Sequence, residues 1–98
     1  MSVTYTRTGI PLPGKQEEAL QYFKTRAAAI KKAYGVEPEV KVRAGGPVGE
    51  VILVSHLKDM AEFEATKRRV IADTHAGKIP VAPAGVFASG EDMLWMDM

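Results

Sequence analysis

Two histidines are the first residues that could do acid-base chemistry near neutral pH. His56 closes the apolar run Val51-Ile52-Leu53-Val54 and is followed by Lys58 and Asp59, so it is a candidate general base at the mouth of a cleft. A strand-end histidine bonded to backbone is its plain alternative. His75 falls in what reads as the last turn of a helix, where an imidazolium interacts well with the helix dipole and capping accounts for it. No carboxylate is spaced to converge with the two imidazoles, so no metal site is expected. Arg7 stands among Thr4, Thr6 and Thr8 and beside Tyr5, and its planar guanidinium suits a carboxylate or similar anion. Arg7, Tyr5, Thr6, Phe63 and Trp95 form the candidate ligand-binding set. The plain alternatives are that the polar groups satisfy one another across a subunit interface and that the aromatics are core.

Several chemistries are excluded by composition. The 98-residue chain has no Cys, which removes disulfides, thiolate catalysis, iron-sulfur clusters and Cys-based zinc sites. Met93, Met96 and Met98 therefore read as packing residues rather than soft-metal ligands. Thirteen Lys and Arg against twelve Asp and Glu give a net charge of +1, so there is no broad field for nucleic acid or an anionic membrane. No cofactor-binding motif is legible. The N-terminal residues hold no apolar run like a signal peptide, and a cytoplasmic protein is the expectation. A chain of this size buries only roughly 60 to 65% of its unfolded surface, so burial against a second subunit would add stability.

The elements that must position these side chains follow from apolar spacing. Val3, Tyr5 and Arg7 alternate with Thr4, Thr6 and Thr8 in a first strand that stops at the breaker Gly9-Ile10-Pro11-Leu12-Pro13-Gly14. Leu20, Phe23, Ala27, Ile30 and Tyr34 recur at helical steps, with Glu17, Glu18, Lys24, Arg26, Lys31 and Lys32 on other faces and Gly35 as the stop. This predicts a helix from about Lys15 to Tyr34. Val40, Val42 and Ala44 against Glu39, Lys41 and Arg43 read as a half-exposed edge strand, turned by Gly45 to Gly49 into the core strand Val51 to Val54. Asp59 with Glu62 opens a second helix that carries Phe63, Val70 and Ile71 and ends near Gly77. A Pro- and Ala-rich stretch from Ile79 to Ala88, either a lid or an arm on a neighbour, leads towards a last strand over Met93 to Met98.

The order βαββαβ is the ferredoxin-like α+β plan, an antiparallel four-stranded sheet with both helices on one face, here in a single domain over residues 1–98. One sheet face is left bare, and a homodimer packed sheet to sheet would cover it. RNA-recognition domains share this order but need aromatics on the third strand, where this chain has Val51, Leu53 and Ser55, so no nucleic-acid partner is expected.

In length, in element order, in Gly49-Glu50-Val51-Ile52-Leu53-Val54-Ser55 running into Asp59-Met60-Ala61-Glu62-Phe63, and in the terminal Glu91-Asp92-Met93-Leu94-Trp95, the chain resembles the dimeric α+β barrel superfamily, and within it NIPSNAP-like proteins. The resemblance implies two sheets closed into a barrel and a cleft between sheet and helices for a small, often aromatic or lipophilic ligand. The Asn, Trp and His set of the haem-degrading members does not carry over, because this chain has no Asn. The leading expectation is a homodimeric barrel protein that binds a small apolar or weakly acidic metabolite. The alternatives are a cofactor-independent monooxygenase or isomerase that uses His56 or His75 with Arg7, and an assembly or stress-related unit without a site.

Overall fold

The computed structural model describes residues 1–45 and 49–98. The elements run β1 (Val3–Pro11), α1 (Gln16–Tyr34), β2 (Glu39–Val42), β3 (Val51–Leu57), α2 (Met60–His75) and β4 (Phe87–Met96). The four strands form one antiparallel sheet in the order β2-β3-β1-β4. This is the expected ferredoxin-like arrangement, with β1 inside the sheet and β2 at an edge. Of the turn expected at 45–49, residues 46–48 lie outside the described residues. No helix among the described residues is long and apolar enough to cross a membrane.

Strand alternation divides the sheet into two unlike faces. Val3, Tyr5, Arg7 and Gly9 lie opposite Leu57, Ser55, Leu53 and Val51 of β3, and all of these face the helices. Thr4, Thr6 and Thr8 share the other face with Ile52, Val54 and His56 of β3 and with Glu91, Met93 and Trp95 of β4. Among the described residues no other element covers that face, and Met93 and Trp95 are well exposed on it.

The two helices use the helix side differently. Ala19, Phe23, Ala27 and Ile30 of α1 are buried and join Val51, Leu53 and Val86 in the core. Acidic Glu17 and Glu18 in the first turn and basic Lys31 and Lys32 in the last suit the helix dipole, and Gly35 takes the left-handed C-cap at φ 74° that a β-carbon would disfavour. In α2 the Asp59 carboxylate accepts the Glu62 amide at 2.8 Å, the expected cap. No residue of α2 is buried. Its stripe of Phe63, Thr66, Val70 and Thr74, at steps of three and four, is only half-buried and looks across a gap at the sheet.

One boundary is corrected. The last strand begins at Phe87, six residues before the expected Met93, and β1 runs on to Pro11 to pair with it. Ala88-Ser89-Gly90-Glu91-Asp92 has poor strand propensity, but pairing along the length of β1 outweighs it. Phe87 anchors the new start, stacked on Phe23 with ring centroids 5.6 Å apart. A register shift between Ile10 and Pro11 absorbs the irregularity. Gly9, read from sequence as a breaker, sits inside β1 because both aromatic rings cross its backbone.

A β-carbon on Gly9 would stand 2.6 Å from Phe87 Cε1 and 3.2 Å from Phe23 Cζ. Gly9→Ala should therefore destabilise the fold by about 1–3 kcal/mol through overpacking. Urea denaturation of the two proteins measures it, and an unchanged midpoint would show that the stacked pair can yield.

Candidate functional site

The gap under α2 is a cleft of about 580 Å³. Tyr22 and Ile30 of α1, Leu53 and Leu94 of the sheet, and Phe63 and Val70 of α2 supply its apolar walls, and Val81 and Ala82 border it from the segment after α2. A second hollow of about 410 Å³ continues it past Arg7, Tyr22 and Asp92 towards Gly9 and Gly90. Tyr5 and Phe63 meet on the cleft wall with centroids 5.6 Å apart. Lys67, one turn beyond Phe63, holds its ammonium 5.8 Å from the same ring.

The polar centre is a cross-strand pair. Register sets Arg7 of β1 directly opposite Asp92 of β4. The guanidinium grips the carboxylate through both Nε to Oδ1 and Nη2 to Oδ2, each at 2.9 Å. The hydrogen bonds from Arg7 hold the Asp92 carboxyl below the ordinary carboxylate value, against its partial burial, and the same bonds raise the Arg7 pKa. Burial, with Asp92 adding to it and Arg7 opposing, pushes the Tyr5 hydroxyl up to about 12. At neutral pH the cleft therefore presents a protonated phenol beside a neutralised ion pair.

Arg26 is the other guanidinium of the cleft. It was expected on a solvated face of α1, and the structure corrects this: it is only 8% exposed. The reason is its spacing, three residues after Phe23 and four before Ile30, which puts it inside the apolar stripe. Nη1 donates to the Pro80 carbonyl at 2.8 Å, tying α1 to the chain that follows α2. A further tie joins the helices, where the Tyr34 hydroxyl donates to Asp73 of α2 and Arg69 stacks over the Tyr34 ring, 4.7 Å from its centroid.

The predicted site residues divide between the two faces. Arg7, Tyr5, Phe63 and His75 border the cleft. Thr6, Trp95 and His56 lie on the opposite face of the sheet. There the His56 Nδ1 is 3.2 Å from Thr4 Oγ1 and its Nε2 is 3.7 Å from Glu39 Oε1. Among the described residues no three His, Asp or Glu side chains converge as a metal set. Asp92 and Arg26 escaped the sequence reading. A charged residue on an interior strand requires a partner, and Glu91, Asp92 and Asp97 were the acids at hand in the terminal segment. For Arg26 the helical stripe itself was the signal.

No family model matches the chain, and no curated protein matches it. Solved structures do. A NIPSNAP domain protein from Burkholderia xenovorans aligns with TM-score 0.78 over 98% of this chain and 94% of its own, at 16% identity. A NIPSNAP family protein from Agrobacterium tumefaciens aligns with TM-score 0.76 over 100% and 94%, at 15% identity. The fold is NIPSNAP-like. A mutant of MhuD with two manganese protoporphyrin IX molecules bound per active site also aligns, with TM-score 0.73 over 97% of this chain and 93% of its own, at 18% identity. At such identities the likeness establishes the NIPSNAP-like fold, and the chemistry rests on this chain's own side chains.

The Asp92 pair has a pH signature. Its folded pKa lies below the unfolded value of 3.8, so the stability it contributes is present above that value and is lost as pH falls through the folded one. The difference in urea midpoint between the wild type and Asp92→Asn should stay constant down to about pH 5 and narrow below it. A difference that widens on acidification would rule out the assignment.

Proposed function

We propose that the chain is a homodimeric binding protein that holds a small apolar or weakly acidic metabolite in the cleft between sheet and helices. One observation carries this reading: α2 turns the stripe of Phe63, Thr66, Val70 and Thr74 towards the sheet and leaves all of it only half-buried. A helix with a hydrophobic face gains stability by covering that face, and a ligand of a few hundred Å³ would complete the burial that side chains leave undone. The Tyr5 hydroxyl and the mutually satisfied Arg7 and Asp92 pair mark the polar end of the cleft. Dimerisation is supported by the other face, where Ile52, Val54, Met93 and Trp95 form an apolar band beside three threonines. The sequence set thus divides into cleft residues Arg7, Tyr5 and Phe63 and interface residues Thr6, Trp95 and His56.

A second reading, a cofactor-independent monooxygenase or isomerase, is supported by His75 at the rim of the cleft. His75 is then the acid or base, and His56 on the far face has no part in it. The porphyrin held by the MhuD mutant makes hemin a probe worth adding.

Native mass spectrometry of the purified chain should give a dimer, and Trp95→Glu should shift it to monomer. A wild-type monomer refutes the interface. Saturation of the cleft at one hundred times the dissociation constant should stabilise the fold by about 2.7 kcal/mol, so a thermal-shift panel of apolar acids and neutral aromatics, with hemin included, reads the binding directly. No shift with any compound would overturn the binding reading. If a turned-over substrate is found, His75→Ala should abolish turnover and His56→Ala should not.

A further inference from the structure

We propose that the ligand is an anion, an apolar or aromatic monocarboxylate, whose head group is held by Arg26 rather than Arg7, and that this contact couples its binding to the segment after α2. The proposal rests on the reading of the cleft as a binding site and goes on to name the class of its occupant.

The charge around the cleft is unbalanced. Among its lining residues Arg7, Arg26 and Lys67 are cations, and Asp92 is the carboxylate set against them. Arg7 already spends its fork on Asp92, so a ligand could take it only by displacing a bidentate partner. Arg26 is in the opposite condition. It is nine-tenths buried, and no carboxylate among the described residues forms an ion pair with it. Asp73, the acid of α2 in the Tyr34 tie, accepts the Tyr34 hydroxyl.

A guanidinium has five N–H donors, and among the described residues Arg26 gives one of them to the Pro80 carbonyl. No fully enclosed side-chain nitrogen or oxygen there lacks a partner, so the remaining donors of Arg26 are not sealed in protein. In the proposed mode these donors face the cleft that the residue borders. A buried charge without a counter-charge is costly, and a carboxylate delivered by a ligand removes that cost at the point where it is largest. The surrounding Tyr22, Ile30, Leu53 and Phe63 prescribe the remainder of the molecule as apolar and accommodate a flat ring.

The bond to Pro80 adds a coupling. Val81, 65% exposed, and Ala82 border the cleft immediately after the residue that Arg26 holds. An anion that fixes the guanidinium also fixes the carbonyl it grips, and with it the chain across the opening.

Isothermal titration of the full-length protein with 2-naphthoate and with the uncharged 2-naphthalenemethanol tests the head group. The wild type should prefer the carboxylate by at least about tenfold, as expected for a charge-assisted bond. Arg26→Met should weaken naphthoate by a similar factor and leave the alcohol unchanged, with Arg26→Lys between. The double variant Arg7→Met with Asp92→Leu should keep the preference. Equal binding of the two compounds to the wild type would overturn the anion anchor while leaving the cleft as an apolar site. Loss of the preference in the Arg7 and Asp92 double variant, but not in Arg26→Lys, would move the anchor to Arg7. Failure of both compounds to bind would overturn both readings. If Arg26→Met does not fold, the wild-type comparison and Arg26→Lys decide. Naphthoate should also slow tryptic cleavage after Lys78 more than the alcohol does, and an unchanged rate would refute the coupling.

Discussion

β1 is hydrogen-bonded along both edges, and the rest of the molecule depends on that constraint. An interior strand cannot turn a side chain aside to an edge; each residue points to one face or the other. Because Tyr5 and Arg7 share parity with Val3 and Gly9, the phenol and the guanidinium must face the helices. Because the threonines take the alternate positions, the opposite face receives hydroxyls. A one-residue slip would exchange the two surfaces entirely, placing an arginine on the flat face and threonines under the helices.

That constraint also explains how Arg7 is tolerated inside a sheet. The antiparallel register brings Asp92 directly across, and the bidentate geometry fills the carboxylate without a change of backbone. Both partners retain some solvent, so the pair contributes less to stability than to position. It fixes the polar end of the cleft and prevents Arg7 from acting as a free cation. Arg26, which has no such partner among the described residues, is left as a buried electropositive point of the site.

Much of the fold was legible because its periodicities are strong. The stripe from Phe23 to Ile30, the Gly35 stop, the Asp59 cap and the two-sided apolar run at Val51 each have a local cause and survive into the structure. The start of β4 was not legible, since Ser89, Gly90 and Glu91 favour turns locally and become strand only through their pairing with β1. The same holds for the site. Arg7, Tyr5 and Phe63 could be singled out by residue type, whereas their separation from Thr6 and Trp95 depends on which face the helices cover. Asp92 became recognisable only with the register that brings it to Arg7. Arg26 was misplaced because a basic residue in an amphipathic helix is ordinarily solvated, and here the apolar spacing prevailed over charge.

The contrast between the two helices reaches beyond the cleft. α1 is knit into the core, while α2 buries no side chain fully and is tied down by its Asp59 cap, by Tyr34 at Asp73 and by backbone turns around Gly77. A helix held in this way has fewer buried contacts to lose than α1, which is the condition that favours local opening. The width of the cleft is then set by those few ties at the two ends of α2 rather than by close packing along its length.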